Sequence, residues 1–359
     1  MRRPTGQLAK RGCGTRRAVR SVGGMRSAFG LDFDVPLGYL NSPSIGVPPL
    51  VVAQAVADAV QRWQTGVDQP GSFDGDVATA REAFGRLIGV PTDRVAIGGG
   101  ASPLVAIVAA SLPKNSRVLV ARGEFTSTTF PFAAAGHAVT EVDLDDLVSA
   151  VDGHDLVAVS VVQSADGRIV DLEGLKETGV PVMLDATQAA GWMPLDLGWA
   201  DWVVAAGYKW LLSPRGSAWL ACSERALEQA VPIAANWYAG EDPWASVYGL
   251  PLRLAKSARS LDTSPAWLAQ AGAAQALPWL ATLDMAAVRD HCVGLADELL
   301  AGLGEAPQGS AIITVDRPDA HELLLNAGVK ASVRAGKVRL GCHLYTTRED
   351  VEVVLKALG

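Results

Sequence analysis

Seven short apolar runs recur between Arg94 and Cys222: "RVAIGGG", "SRVLVAR", "HAVTEVDL", "DLVAVSVV", "VPVMLD", "DWVVAAG" and "GSAWLAC". Stretches with helical spacing lie between them. Several runs are apolar at every position, the pattern of strands covered on both faces. Strand–helix alternation of this kind predicts an α/β fold built on a mainly parallel, seven-stranded sheet. Two amphipathic stretches precede it. "PPLVVAQAVADAVQRW" has Pro49 near its first turn, and "DVATAREAFGRLIGV" has Asp76 as a candidate N-cap. After about residue 265 the character changes. An Ala- and Leu-rich helical stretch runs from Trp267 to Leu303, and short strands follow around "AIITV" and "KVRLGC". The expected organisation is a large domain over 27–265 and a smaller C-terminal α+β domain over 266–359.

Charge narrows the function classes. A net charge of −7 implies no general affinity for nucleic acid. No run of 18 apolar residues occurs, so no membrane span is expected. Cys13, Cys222, Cys292 and Cys342 make neither a metal pattern nor a disulfide framework, and a reducing cytoplasm is the expected compartment. Residues 1–26 carry eight Lys and Arg and no acid. They lack an apolar core for secretion. We expect a disordered basic extension there, with Met25 as a plausible alternative start.

Three stretches bear chemistry. In "RVAIGGGASPLVAIVAASL" a strand ends in Gly98, Gly99 and Gly100 and a helix begins near Ser102. Free N–H groups and the helix dipole suit a phosphate, although a turn without ligand has the same look. In "VMLDATQAAG", Asp185 ends an apolar strand, where it could cap a helix or hold a protonated ring nitrogen. In "AAGYKWLLSPRGSAWL", Lys209 sits among apolar residues, 24 positions after Asp185 and one strand later. A buried ammonium is costly unless its stem alone is buried or its amine is bound to a cofactor. An amine, an acid for a ring nitrogen and an anion cradle together match the needs of pyridoxal phosphate.

The chain resembles the class V aminotransferase family of fold-type I pyridoxal-phosphate enzymes, which includes cysteine desulfurases, selenocysteine lyases, kynureninases and isopenicillin N epimerase-like proteins. The resemblance runs from about Tyr39 in "GYLNSPSIG" to the C-terminus and is strongest in "DATQAAGWMPLDLGWADWVVAAGYKWLLSPRGSAWL". It implies pyridoxal 5'-phosphate as cofactor and an amino acid as substrate. Lys209 looks like the Schiff-base lysine, Asp185 like the partner of the pyridine nitrogen and Gln188 like the donor to the ring hydroxyl. Gly100, Ala101 and Ser102 resemble the phosphate turn, and Tyr208 resembles a phosphate-binding tyrosine. In "RGEFTSTTFPF", Phe125 falls at the position of the ring that stacks on the cofactor. In "SVVQSADG", Ser164 stands where many desulfurases carry an asparagine. "SVRAGKVRLGCHLYTTRED" resembles the motif with the carboxylate-binding arginine, here Arg339. His343 in that motif is a candidate for the site mouth or for the core.

The resemblance also implies a homodimer with sites at the subunit interface. Relatives lend a threonine to the neighbour's phosphate from a Gly-Thr pair. Here the pair is Asp262-Thr263, and only the threonine carries over. No cysteine lies between His321 and Arg339, where persulfide-forming desulfurases carry their thiolate. The expected activity is therefore a cysteine-independent lyase (C–S or kynureninase-like) or an aminotransferase. A persulfide-forming desulfurase and an epimerase are the alternatives. A remoter one is a nicotinamide oxidoreductase using Gly98–Ser102 as its dinucleotide turn and Glu124 as its ribose acid.

Overall fold

The seven apolar runs form one seven-stranded sheet in the computed structural model, which describes residues 24–359. In chain order the elements are β1 (Gly24–Ala28), β2 (Leu31–Val35), α1 (Leu50–Gln64), α2 (Asp74–Ile88), β3 (Val95–Gly98), α3 (Ala101–Ser111), β4 (Arg117–Ala121), α4 (Thr126–Ala134), β5 (Ala138–Val142), β6 (Leu156–Ser160), α5 (Leu172–Glu177), β7 (Val182–Asp185), β8 (Trp202–Ala206), β9 (Ala218–Cys222), α6 (Glu224–Gln229), α7 (Trp267–Leu280), α8 (Met285–Gly302), β10 (Ile312–Val315), α9 (Ala320–Asn326), β11 (Ser332–Arg334), β12 (Lys337–Gly341) and α10 (Arg348–Leu358). The sheet order is β3-β9-β8-β7-β6-β4-β5. β9 runs antiparallel to both neighbours, and the remaining pairs are parallel.

The continuous apolar runs have a direct cause. Along β6, Val157 and Val159 enter one core while Leu156 and Ala158 enter the other. α2 and α7 cover the first face, and α3 covers the second. Burying each Val or Leu stabilises by roughly 1.5–3 kcal/mol, so neither face tolerates polar alternation. A third core lies at the C-terminal end. It joins Leu295 and Leu299 of α8, Ile313 of β10, Leu340 of β12 and Val354 of α10 with Leu40 from the N-terminal segment. Among the described residues no helix is long and apolar enough to cross a membrane.

Three expectations are corrected. The stretch Trp267–Leu303 is two helices, with α8 starting where the Asp284 side chain accepts from the N–H groups of Ala286 and Ala287; the first of them, α7, packs on α1 and α2. α2 begins at Asp74, which leaves Asp76 in the first turn rather than at the cap. Residues 24–26 are not a disordered extension, because β1 pairs with β2 and Arg26 forms an ion pair with Asp350 of α10 at 2.6 Å. Residues 1–23, with Cys13, lie outside the described residues.

Candidate active site

Parallel strands β7 and β8 end on one side of the sheet, with Asp185 the last residue of β7 and opposite Val204 of β8. Three residues past β8 the chain reaches Lys209. The N-terminal segment closes on this point, where the Gly46 N–H donates to the Tyr208 carbonyl at 3.0 Å. A Cβ at position 46 would stand 2.0 Å from the Lys209 carbonyl oxygen, so only glycine fits. Between these elements lies a cleft of about 520 Å³. Gly100, Ala101, Ser102, Phe125, Ser164, Asp185, Gln188, Tyr208 and Lys209 all line it. Arg339 lies behind Ser164, and Thr263 is not in the cleft wall of its own chain.

Lys209 is buried, and its Nζ lies 5.4 Å from the Phe125 ring centre and 5.8 Å from that of Tyr208. Among the described residues it has no hydrogen bond and no ion pair. Burial pulls its pKa down to about 8; Asp185 opposes this, and Arg339, Arg334 and Arg215 add to it. Asp185 is buried too. It accepts from the Thr187 N–H at 2.8 Å and from the Thr128 hydroxyl at 3.4 Å. Burial pushes its carboxyl up, while the Thr187 bonds and the Lys209 charge pull the other way.

Opposite, α3 starts at Ala101 with the bare Gly100 at its cap. No side chain caps its first N–H groups, and the helix dipole favours an anion there. Ser102 donates to Ser127 at 2.8 Å at the same corner. The Arg215 guanidinium lies 5.2 Å from the Tyr208 ring centre. Gln188 is fixed by three bonds. It donates to the Pro43 carbonyl and the Ser164 hydroxyl, both at 3.1 Å, and accepts from the Trp210 indole at 2.8 Å. One of its N–H groups must leave Ser164 before it can meet a ligand.

Arg339, on β12, is 1% exposed and has no carboxylate partner among the described residues. It donates to the Ser164 carbonyl and hydroxyl, to Ser44 Oγ at 2.9 Å and to Ser332 Oγ at 3.2 Å. Its Nε has no partner among the described residues. Burial, then the neighbouring Arg334, lowers its pKa to about 10. Ser44, Ser332, Thr128 and Thr187 carry no local signal in the sequence that would mark them. Ser44 reaches Arg339 across 295 positions.

Three further residues are placed differently from a reading by motif. Asp262, which replaces the glycine of the Gly-Thr pair, is the buried partner of Arg81. The two form a fork at 2.9 and 2.7 Å, and Asp262 also accepts from the Ile97 N–H. Glu124 is not open to a ribose, because the Ser160 N–H and hydroxyl and the Gln163 amide occupy its carboxylate. His343 is core, not mouth: it lies between Trp210 and Tyr345, donates to the Trp210 carbonyl, and burial holds its pKa near 3. Cys222, Cys292 and Cys342 are buried away from the cleft. Burial pushes the thiols of Cys222 and Cys342 up to about 12 and that of Cys292 well above the usual range.

The sequence model of the class-V aminotransferase family matches residues 59–330. An uncharacterized aminotransferase of Bacillus subtilis, YcbU, is 28% identical over 302 residues, which cover 76% of this chain and 80% of that protein. Isopenicillin N epimerase of Streptomyces clavuligerus is 25% identical over 338 residues, covering 78% and 83%. Among solved structures, the cysteine desulfurase CsdA from Escherichia coli aligns with a TM-score of 0.75 at 20% identity, over 90% of this chain and 94% of that chain. The cystine C–S lyase C-DES, in complex with its product cysteine persulfide, aligns with a TM-score of 0.79 at 20% identity, over 90% and 97%. These structural likenesses are likenesses of fold, and they place the chain among fold-type I architectures.

Proposed function

The chain belongs to the class-V aminotransferase family, and from that membership we propose that it processes an α-amino acid by lysine acid–base catalysis without help from a cysteine. Its cofactor is pyridoxal 5'-phosphate. The residues present fit this group: a buried amine without a partner, a buried carboxylate with an oxygen held only weakly, and an uncapped helix start stand around one cleft. Lys209 would anchor it, Asp185 would pair with its ring nitrogen, and Phe125 would cover its ring. Gly100, Ala101 and Ser102 would hold its phosphate with Tyr208, while Gln188 and Ser164 would face its ring hydroxyl. When bound, the cofactor supplies an electron sink for the pair left at the substrate α-carbon.

The chain's own residues do the rest. Arg339 binds the α-carboxylate through its planar fork, exchanging serine hydroxyls for a charged acceptor. Lys209 takes the α-proton on Nζ and returns it, and burial, which lowers the pKa of its amine, favours an amine that must do both. Asp185, oriented by the Thr187 N–H, would hold the proton of the ring nitrogen.

One observation carries the cysteine-independent reading. The described cysteines are buried away from the cleft with raised pKa values, so none offers the reachable thiolate that persulfide formation needs. The activity is then a C–S or kynureninase-like lyase, or an aminotransferase. Replacing all four cysteines by alanine tests this, with pyruvate, alanine, sulfide and keto-acid release measured across an amino-acid panel. Turnover per folded enzyme within about twofold of wild type supports the reading. A loss traced to Cys342 alone, with the cofactor retained, overturns it. The likeness to isopenicillin N epimerase supports epimerisation as a second reading. Deuterium entering recovered substrate with inversion, and no other product, would favour it.

We also take the enzyme to be a homodimer in which Thr263 serves the partner's site, since Thr263 stands outside its own cleft and Trp244, Tyr248, Leu250 and Leu252 are exposed nearby in sequence. A fully active monomer would reject this.

A further inference from the structure

Four cations stand in or next to the cleft: Lys209 and Arg215 line it, Arg339 lies behind Ser164, and Arg334 shares Ser44 with Arg339. None of them has a carboxylate within ion-pair distance among the described residues. The reading above uses Lys209 for the cofactor and Arg339 for the α-carboxylate. Arg215 and Arg334 are left without a role, and of the two only Arg334 shares a hydrogen-bonding partner with Arg339.

Its position is fixed by the fold. β11 and β12 form a hairpin closed by Ala335 and Gly336, both in the left-handed region, the geometry of a tight two-residue turn. The register sets Ser332 opposite Arg339 and Arg334 opposite Lys337. The Ser44 hydroxyl then receives both guanidinium groups, Arg339 at 2.9 Å and Arg334 at 3.4 Å. Two like charges on one neutral oxygen repel each other, and no acid among the described residues offsets that. Arg334 is close enough to depress Arg339 and to weigh on Lys209. Among the described residues its guanidinium makes one other hydrogen bond, to the carbonyl of its neighbour Val333. It is exposed, so its side chain is free to turn toward a ligand.

Resting on the proposed function, we propose that Arg334 is a specificity-determining residue that takes the side-chain anion of the substrate. The substrate class is then α-amino acids with a second negative group one or two methylenes from the α-carbon, a carboxylate or a sulfinate. The two guanidinium groups that share Ser44 would each meet one anion. Neutral side chains leave the repulsion in place, and basic ones add to it.

The test is a titration of the cofactor absorption band of the purified holoenzyme. The probes are L-aspartate against L-asparagine and L-glutamate against L-glutamine, isosteric pairs that differ in charge. At low salt we expect the better acid to bind at least tenfold tighter than its amide. Added sodium chloride should shrink that ratio. In Arg334→Gln the ratio should fall close to one, and Arg334→Lys should retain part of it. Because Arg334 is exposed, both variants should melt like wild type. Equal affinity for acid and amide in wild type overturns the proposal, as does a ratio that survives in Arg334→Gln. If neutral amino acids perturb the band and acids do so no better, this inference alone fails. If the protein holds no cofactor, the proposed function fails with it.

Discussion

Arg81 and Arg339 are both buried, and the chain treats them in opposite ways. Arg81 meets Asp262 in a two-pronged fork, donates to the Val95 carbonyl, and shares its acid with the Ile97 N–H. Arg339 meets three serine hydroxyls and a carbonyl, with one N–H left over. A buried charge is stable only when its hydrogen-bonding capacity is met by opposite charge. The edge near β3 is complete within one chain, whereas the cleft is complete only with an anion. The same contrast holds for Lys209, an ammonium that lacks a hydrogen-bonded acid. Regions of the first kind hold a fold together, and regions of the second kind bind.

Substitutions should separate the two regions. The largest effect belongs to Lys209→Ala, with kcat falling by about 10³–10⁴ and thermal stability held or raised. A variant that keeps more than a tenth of the activity would erase the contrast. Next is Asp262→Ala, which strands the Arg81 guanidinium and should cost about 3–5 kcal/mol in denaturant unfolding. A loss below about 1 kcal/mol would mean that the paired edge is not the structural one.

The third effect depends on pH. Lys209 titrates near 8 in the folded, cofactor-free protein, against an ordinary value of 10.5. Below pH 8 both folded and unfolded chains hold the proton, and the burial penalty is present in full. Between pH 8 and 10.5 only the unfolded chain binds it, so stability rises with pH. Relative to Lys209→Met, wild-type apoprotein should gain up to about 3 kcal/mol over that window and nothing beyond it. A flat difference would show an unshifted lysine. The smallest effect is expected for Arg339→Met. Its unfolding free energy should change by less than about 1 kcal/mol, while amino-acid binding to the holoenzyme weakens by about 1.5–3 kcal/mol, the value of hydrogen bonds to a charged group. Equal damage to stability would place Arg339 with Arg81.

Much of this was legible in the sequence. Seven apolar runs mark seven strands because both faces of the sheet are covered, and strand ends bring Asp185 and Lys209 into one cleft over only 24 residues. Contacts made across the whole chain were not legible. The Arg26–Asp350 pair spans 324 positions and turns part of a basic tail into a strand. Ser44 and Ser332 look like loop serines until the hairpin folds over Arg339. Asp262 looks like a damaged motif until Arg81, 181 positions earlier, is placed against it. The break between α7 and α8 leaves little mark on the sequence because Ala and Leu continue through it, and the Asp284 cap is a single residue in an apolar context.

The most direct test of the account is to find which lysine carries the cofactor. Purified holoenzyme is reduced with borohydride, digested, and the pyridoxyl-bearing peptide sequenced by mass spectrometry. The account predicts one adduct, on Lys209, with stoichiometry near one per chain and none in Lys209→Ala. An adduct on any other lysine, or a protein that binds no pyridoxal phosphate, would contradict it.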